Sequence, residues 1–543
     1  MFVAKRVKKG LTYYYLVENE RLGNKVRIKW QMYLGSAKRL KEIFEKMLSI
    51  TIKSKGFGSV ASMLSVADEL HLSEIIQNAV PRINLKLSIP QHIIMQSICR
   101  FHKPASKRAS IGWYNESILP LLWGKTFSSP QTILNQFDKM VNANTNVLPQ
   151  IEEEICRVLL ERGIKPSTLI WDPTNFFTYI EKGDELPRKG ASKEKRYDKN
   201  IINVGLVVSN QNIPMMHTTY AGNKHESKII TEVVDDLFSR LKKLDQDTEK
   251  IVFVFDKGNN SEINIPKIEN KFRFIGALKR NQLKHLLDVE LTEFNGLYTN
   301  CKGNKIIGYR TIEKVYDAEY TVVVTYNEKT AQKQRIKTEE SIKRITNGFD
   351  ELEKNINNSH RGRKTTMKGV TQQVDGFLYQ QHRAMFTWGF DEKEQRFSWS
   401  LNETALKERK NTYGKTILFT DINDWTTENI AKTYNSKSIV EEDFKALKNR
   451  LIIPMKPFFH RYDSHLRVHI FICVLSMVLY RYMLWKLRDI KLSEGSITKM
   501  IKDMRLAFVK ENDSTPLKKV LENMTPEHIG VYNKLELKRY VPN

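Results

Sequence analysis

Glu441 and Lys448 stand seven residues apart in YNSKSIVEEDFKALK, residues 434–448. On one α-helix, turning about 100° per residue, they fall within about 20° of each other and two turns apart. Tyr434 and Lys437 fall within about 40° of the same line if the helix reaches back to them. Beside it runs an apolar stripe, Val440, Phe444, Leu447 and Leu451, able to hold the helix on a core. Glu442 is turned about 100° away. A carboxylate fixed at a core edge with a lysine above it is what a metal-dependent phosphate site needs. A solvated surface helix has the same pattern, and Ser438 with Glu441 three residues later fits a capping box, a purely structural job for the glutamate.

Two aspartates bear on that choice. Asp172 follows the apolar LIW of a strand-like run, and Asp256 closes IVFVFD, where Lys257 and Gly258 open the exit loop. Ligands gather at the carboxyl ends of strands in α/β sheets. A carboxylate left unpaired at the end of an apolar strand is costly, and a divalent cation would offset that cost. Either aspartate alone could equally cap a turn. Taken with Glu441, they make three carboxylates from separate elements, a set suited to two Mg²⁺ ions, with Mn²⁺ able to substitute. Such a pair, about 4 Å apart, activates a water or a 3′-hydroxyl and stabilises the leaving oxygen in an in-line displacement at phosphorus.

The elements that must carry these residues follow from periodicity and breakers. The order from Ser167 is STLIWDPTNFFTYI, INVGLVV and NIPMMHTTYAG as strands, helix KHESKIITEVVDDLFSRLKKL, strand KIVFVFD, a helix over about 261–270, and strand FRFIGALKR. That β-β-β-α-β-α-β order predicts an α/β sheet of mixed direction. A basic loop, RKGASKEKRYDKN, follows the first strand. Residues 291–424 read as a mostly-β insertion around a charged helix over roughly 327–358, with basic side chains at Arg361, Arg363, Lys364 and Lys368. Trp388 and Trp399 in it read as core, or as a platform for an unpaired base. The core resumes over 425–490.

Ahead of the sheet, residues 1–58 read as a basic β-hairpin turning at Gly23–Asn24 and then a helix with Leu40, Phe44, Met47 and Leu48 on one face. Residues 59–165 read as short helices, started at Ser88–Pro90 and Ser129–Pro130, with basic connectors at Arg100, Lys103, Lys107 and Arg108 that suit a helix-turn-helix-type DNA reader. Residues 491–543 read as a basic helical tail.

Composition narrows the partners. At 543 residues the chain exceeds one core, and a formal charge of +26 with pI near 9.6 favours a polyanion, double-stranded DNA first. The most apolar run, Val468 to Tyr480, is too short to span a bilayer, so no membrane partner is expected and the compartment is read as cytoplasmic, at the nucleoid. The four cysteines form no C-x-x-C pair. His460, His465 and His469 lack acidic or cysteine partners at regular spacing.

In these motifs the chain resembles the DDE transposases of bacterial and archaeal insertion sequences, in the branch marked by Tyr, two residues, Arg, three residues, Glu, six residues, Lys. Here that pattern is Tyr434, Lys437, Glu441 and Lys448, with lysine in place of arginine, which keeps the charge and loses the bidentate grip. WDPTNFF around Asp172, AGNKHES before the helix, VFDKGNNS around Asp256, YYYLVENERLGNKVR and RVHIFICVLSMVLYR extend it over nearly the whole chain. The resemblance implies an RNase H-like catalytic fold with the inserted domain, Asp172, Asp256 and Glu441 as catalytic metal ligands, and a homodimer assembled on transposon ends. It also implies that Tyr434, Lys437 and Lys448 hold DNA phosphates and that Asn223 supports the active-site loop. Lys279 and Arg280 are candidate phosphate contacts or plain strand-end charges. The alternatives are a non-catalytic DNA-binding protein derived from such an enzyme, and an RNase H-like nuclease that does not join strands.

Overall fold

The computed structural model describes residues 1–22, 25–48, 51–82, 86–126, 129–142, 144–181, 183–300, 303–358, 364–510 and 517–543. The turn expected at Gly23–Asn24, Cys301 and the basic residues Arg361 and Arg363 lie outside the described residues. The chain is mixed α/β, and its contacts divide it into two units. One comprises residues 1–147, 450–454 and 478–543; the other, residues 148–449 and 455–477.

The first unit opens with three antiparallel strands rather than a lone hairpin: Phe2–Lys8, Leu11–Leu22 and Lys25–Ser36. Tyr13 and Tyr15 both pack against Tyr33, beside the buried Val17. Helix Ala37–Leu48 follows, but Phe44, expected on its buried face, is exposed. The helical stretch starts where its caps require. Ser88 caps Ile89–His102 through a complete capping box with Gln91, and Pro130 opens Pro130–Met140. Arg100, expected as a connector cation, is instead buried in that helix and donates to the carbonyls of Ala105 (3.2 Å) and Pro454 (3.4 Å). The C-terminal tail is not purely helical. Its strand Arg505–Lys510 pairs with Lys518–Glu522 and, from the other end of the chain, with Thr51–Gly56. TIKSKG carries too little apolar periodicity to announce a strand; it becomes one because a partner is there.

The second unit is built on one sheet. Its strands are β1 (Thr168–Thr178), β2 (Asn200–Ser209), β3 (Pro214–Ala221), β4 (Val252–Phe255), β5 (Arg273–Ala277), β6 (Asn295–Thr299), β7 (Lys305–Val315), β8 (Ala318–Asn327) and β9 (Lys415–Thr420). Their order across the sheet is β6-β7-β8-β9-β5-β4-β1-β2-β3. β4 runs parallel to both β1 and β5; every other pairing is antiparallel. Helix α1 (Glu226–Lys243) connects β3 to β4, and α2 (Asn264–Glu269) connects β4 to β5. β4 is apolar on both faces, as a central parallel strand must be. The predicted β-β-β-α-β-α-β order is the one observed.

The insertion differs from a mostly-β domain of its own. β6 to β9 extend the same sheet, because β9 pairs with the free edge of β5. Between β8 and β9 lie the 30-residue helix α3 (Glu328–Asn357), two shorter helices and the hairpin 386–401. These close a small core of their own around Phe349, Val370 and Phe397. Trp399 stacks on Phe349 (5.3 Å between centroids) and Trp388 on Phe397 (6.0 Å), so both tryptophans pack against this core.

Two helices, α4 (Thr427–Asn435) and α5 (Ser438–Lys448), then pack on the sheet, α4 against β4 and β5 and α5 against β1 and β2. The run Val468–Tyr480 lies inside a 24-residue helix, Asp463–Lys486, which by length and composition could cross a membrane. In its most apolar stretch, however, 94% is buried within the protein, as in the core helix of a soluble protein.

Candidate active site

On β1 the register partner of Trp171 is Phe255, the last residue of β4. Asp172 and Asp256 are the next residues on these parallel strands, whose spacing is about 4.8 Å. Here β4 stops and the β4 side of β1 falls open. Pro173, with no N–H to offer a ladder, is tolerated at that point. The Trp171 ring covers Gly205 on β2 so closely that an added Cβ would sit 1.9 Å from it, which pins the strand carrying Asp172.

Asp256 is held from three sides. One carboxylate oxygen accepts from the Lys257 amide (2.8 Å) and the Tyr434 hydroxyl (3.1 Å); the other pairs with Lys437 Nζ at 3.1 Å. Lys437 also donates to the Tyr434 hydroxyl (3.2 Å). Burial pushes the Asp256 carboxyl up, but the Lys437 charge and these hydrogen bonds outweigh it, so the group lies below its ordinary value. Asp172 goes the other way. Burial raises it to about 7, with Asp256 and Glu226 adding to the rise against Lys193 and Lys437.

The segment carrying Glu441 is two helices, not one. The NSKS run is poor in helix formers, and at Ser436–Lys437 the backbone tightens to i→i−3 bonds: Lys437 N to Tyr434 O (3.2 Å) and Val440 N to Lys437 O (3.1 Å). Tyr434 lies in the last turn of α4, and Lys437 sits at the corner as the cap of α5. No side chain caps α5, so the capping-box role for Glu441 is not the one it plays. Val440, Phe444 and Leu447 are buried as expected, whereas Leu451 lies beyond the helix end and is exposed.

Glu441 is exposed in the first turn of α5, where the helix dipole favours a carboxylate, and among the described residues its side chain makes no hydrogen bond or ion pair. Its charge nonetheless reaches Tyr434. Burial raises the pKa of the Tyr434 phenol strongly, and the charges of Asp256, Asp172 and Glu441 each add to that rise. One hydroxyl therefore lies in the field of all three carboxylates. Glu442 is also exposed.

Lys448 donates to Thr174 Oγ1 (2.9 Å) over the Phe176 ring. Burial lowers its pKa, and the nearby Lys193 and Lys456 lower it further. Lys193 is a site residue that its sequence pattern does not single out from the rest of its basic loop. It folds back onto β1, pairing with Glu226 at 2.8 Å and donating to the Pro173 carbonyl at 2.7 Å. Its backbone amide bonds Asn175 Oδ1 (2.9 Å), which ties the loop to the strand. Glu226 is equally unexpected, though it stands in AGNKHES at the start of α1, where a first-turn acid was the available signal.

Not every expected residue joins the site. Asn223 is exposed, and its side chain has no bonding partner among the described residues. The neighbouring Gly222 is packed closely against the chain: an added Cβ would sit 2.3 Å from the Ile201 carbonyl oxygen. Lys279 and Arg280 lie beyond the end of β5, exposed, and outside the bonds just described. His460, His465 and His469 cluster ring to ring, with His469 Nε2 at 2.9 Å from the Met455 carbonyl oxygen.

Among the described residues no group of three or more His, Cys, Asp or Glu side chains is arranged as a ready ion cage. What fits a divalent cation is the donor type. Asp172 and Asp256 are hard oxygen donors in matched register, and the Asp172 carboxyl is raised first by its burial, a cost that a cation bound to its anionic form would offset. No family model matches the chain, and no curated protein matches it.

Proposed function

We propose that the chain is a DDE-type DNA transposase. In this reading it binds the terminal inverted repeats of an insertion sequence, cleaves them in a Mg²⁺-dependent reaction and joins the 3′ ends to target DNA, acting as a homodimer on paired ends in the cytoplasm. The observation that carries this reading is the matched register of Asp172 and Asp256 at the ends of parallel β1 and β4, with Tyr434 and Lys437, at the corner that leads into the helix of Glu441, both bonded to Asp256. The sheet supports it too. Three antiparallel strands joined to two parallel ones, in the order β3-β2-β1-β4-β5 with helices between, is the arrangement expected of an RNase H-like core.

Asp172, Asp256 and Glu441 would hold the ions. Bound Mg²⁺ would supply an activated water or 3′-hydroxyl and charge stabilisation at the leaving oxygen. The chain's own cations do the rest. Lys437, at the corner between α4 and α5, orients Asp256 and is placed to take a DNA phosphate when it releases that carboxylate. Lys448, half-buried and anchored on Thr174, presents a second positive charge from the same helix. Tyr434 holds Asp256 in place as a neutral hydrogen-bond donor. The test is cleavage of DNA carrying the element's ends by Asp172→Asn, Asp256→Asn and Glu441→Gln. Each is expected to bind ends and to lose nearly all cleavage; cutting within about tenfold of the parent by any one of them refutes its assignment.

A second reading, a DNA-binding protein that does not cut, is favoured by the Lys437–Asp256 pair and the absence of a ready ion cage among the described residues. It predicts shifted complexes and no nicked or joined products with Mg²⁺ or Mn²⁺.

A further inference from the structure

Beyond the carboxylate pocket, the second unit holds two arginines that pair with no carboxylate among the described residues; Glu408, beside one of them, pairs instead with Lys284 at 2.9 Å. Arg280 follows β5, where the Leu278 amide still bonds the Ile417 carbonyl of β9 (2.9 Å). That antiparallel run brings the residues after Leu278 alongside those before Ile417, the Tyr413 end of β9. Arg409 lies in the last turn of helix Glu403–Asn411, one turn before Tyr413. Neither guanidinium makes an ion pair or a hydrogen bond among the described residues, although Arg409 Nε is shut off from water. Tyr413 is 5% exposed and its hydroxyl is buried without a partner; His382 is 4% exposed and its Nδ1 is likewise unpartnered.

The net electrostatics disfavour positive charge here, although Tyr413 acts the other way on Arg280. Desolvation on its protein side and then the Arg409 charge hold Arg280 below its usual range, although part of its surface stays in water. Burial lowers His382, followed by the charges of Arg409, Arg344 and Lys337. No carboxylate acts on either group strongly enough to count among these causes. Buried polar atoms without partners are costly, and an arginine partly withdrawn from water without an acid is more so. A bound anion removes both penalties, and the planar arginine fork suits a tetrahedral oxyanion.

We propose that Arg280, Arg409 and Tyr413 form a phosphate-binding site that takes a backbone phosphate of duplex DNA. The DNA source rests on the transposase reading; the anion site does not. It lies on elements other than those that carry Asp172, Asp256 and Glu441, with Arg280 leaving the same carboxyl edge of the sheet as Asp256, so it would hold a phosphate other than the scissile one.

The test uses the full chain and inorganic phosphate first. Melting temperature should rise with phosphate over chloride at matched ionic strength, and the rise should be abolished in Arg409→Gln and Tyr413→Phe. Lys407→Gln, an exposed lysine of the same helix, controls for charge and should keep it. Tyr413→Phe should also fold at least as stably as the parent without phosphate, because it deletes an unpartnered buried hydroxyl. An equal rise in all four proteins overturns the site. Duplex binding comes second: in Arg280→Gln/Arg409→Gln the slope of log Kd against log salt should shrink by about 0.9 for each phosphate no longer neutralised. An unchanged slope overturns the DNA source. A parent chain that binds no duplex removes that source together with the transposase reading, while the phosphate experiment still decides the site on Arg409 and Tyr413.

Discussion

Two places in the second unit gather positive charge and treat it in opposite ways. Around Asp172 the lysines are spoken for: Lys437 sits on Asp256, Lys193 on Glu226, and Lys456 on Glu194. Around Arg409 the cations face one another and buried polar atoms without partners. In the first arrangement these three lysines are paired within the chain, so an anion that binds them must displace an internal partner. In the second, Arg280 and Arg409 carry no internal carboxylate among the described residues, so an incoming anion need not displace one from them. Charge count alone does not distinguish them; pairing does.

Breaking the paired site should have the largest effect. Removing a carboxylate by Asp172→Asn, Asp256→Asn or Glu441→Gln should lower Mg²⁺-dependent cleavage by on the order of 10³-fold or more, since several kcal/mol of charge stabilisation is at stake and each 1.36 kcal/mol is about tenfold. Single-turnover cleavage measures it, and activity within about tenfold of the parent would sink the assignment.

Next comes stability. The Asp172 carboxyl is raised from 3.8 to about 7. Between those values the folded chain holds a proton that the unfolded chain lacks, so this group costs stability as pH rises from about 4 through 7. Asp172→Asn should therefore stabilise the fold at pH 8, by on the order of 1 kcal/mol after allowing for partial exposure, and the gain should vanish below pH 4. Denaturant melts at the two pH values check it; a loss at pH 8 would show that Asp172 is held as an anion by its lysines.

A smaller effect is expected at Lys448, whose substitution by Ala should reduce the salt slope of duplex binding by about 1 without abolishing binding. An unchanged slope would leave Lys448 as a packing residue on Thr174. The least effect belongs to Glu442→Gln, which should cleave as the parent does. A dead Glu442 variant would move the third carboxylate one position along α5.

Much of this is legible in the residue order. Strands with apolar runs, LIW, INVGLVV and IVFVF, announce themselves because burial on both faces leaves few polar interruptions. Ser88 and Pro130 mark helix starts because capping is local chemistry. Less legible is the corner at Ser436–Lys437, where the heptad-like spacing of Glu441 and Lys448 suggests one straight helix. The poor helix formers there are a usable signal; the spacing masks it. Glu226 and Lys193 are harder still, since each lies in a polar loop or first turn and matters only through the other.

By itself the amino-acid order determined the mixed α/β class, the basic character, the strand ends where aspartates fall and the apolar stripe that seats α5. These depend on neighbours a few residues away, within the reach of a helical turn or a pleat. Only the folded chain decided that β9 would join β5, that Lys437 would turn inward to Asp256, and that Arg280 would lie near Arg409 rather than near an acid. Those outcomes depend on which distant segments share an edge, and local periodicity carries no information about that choice.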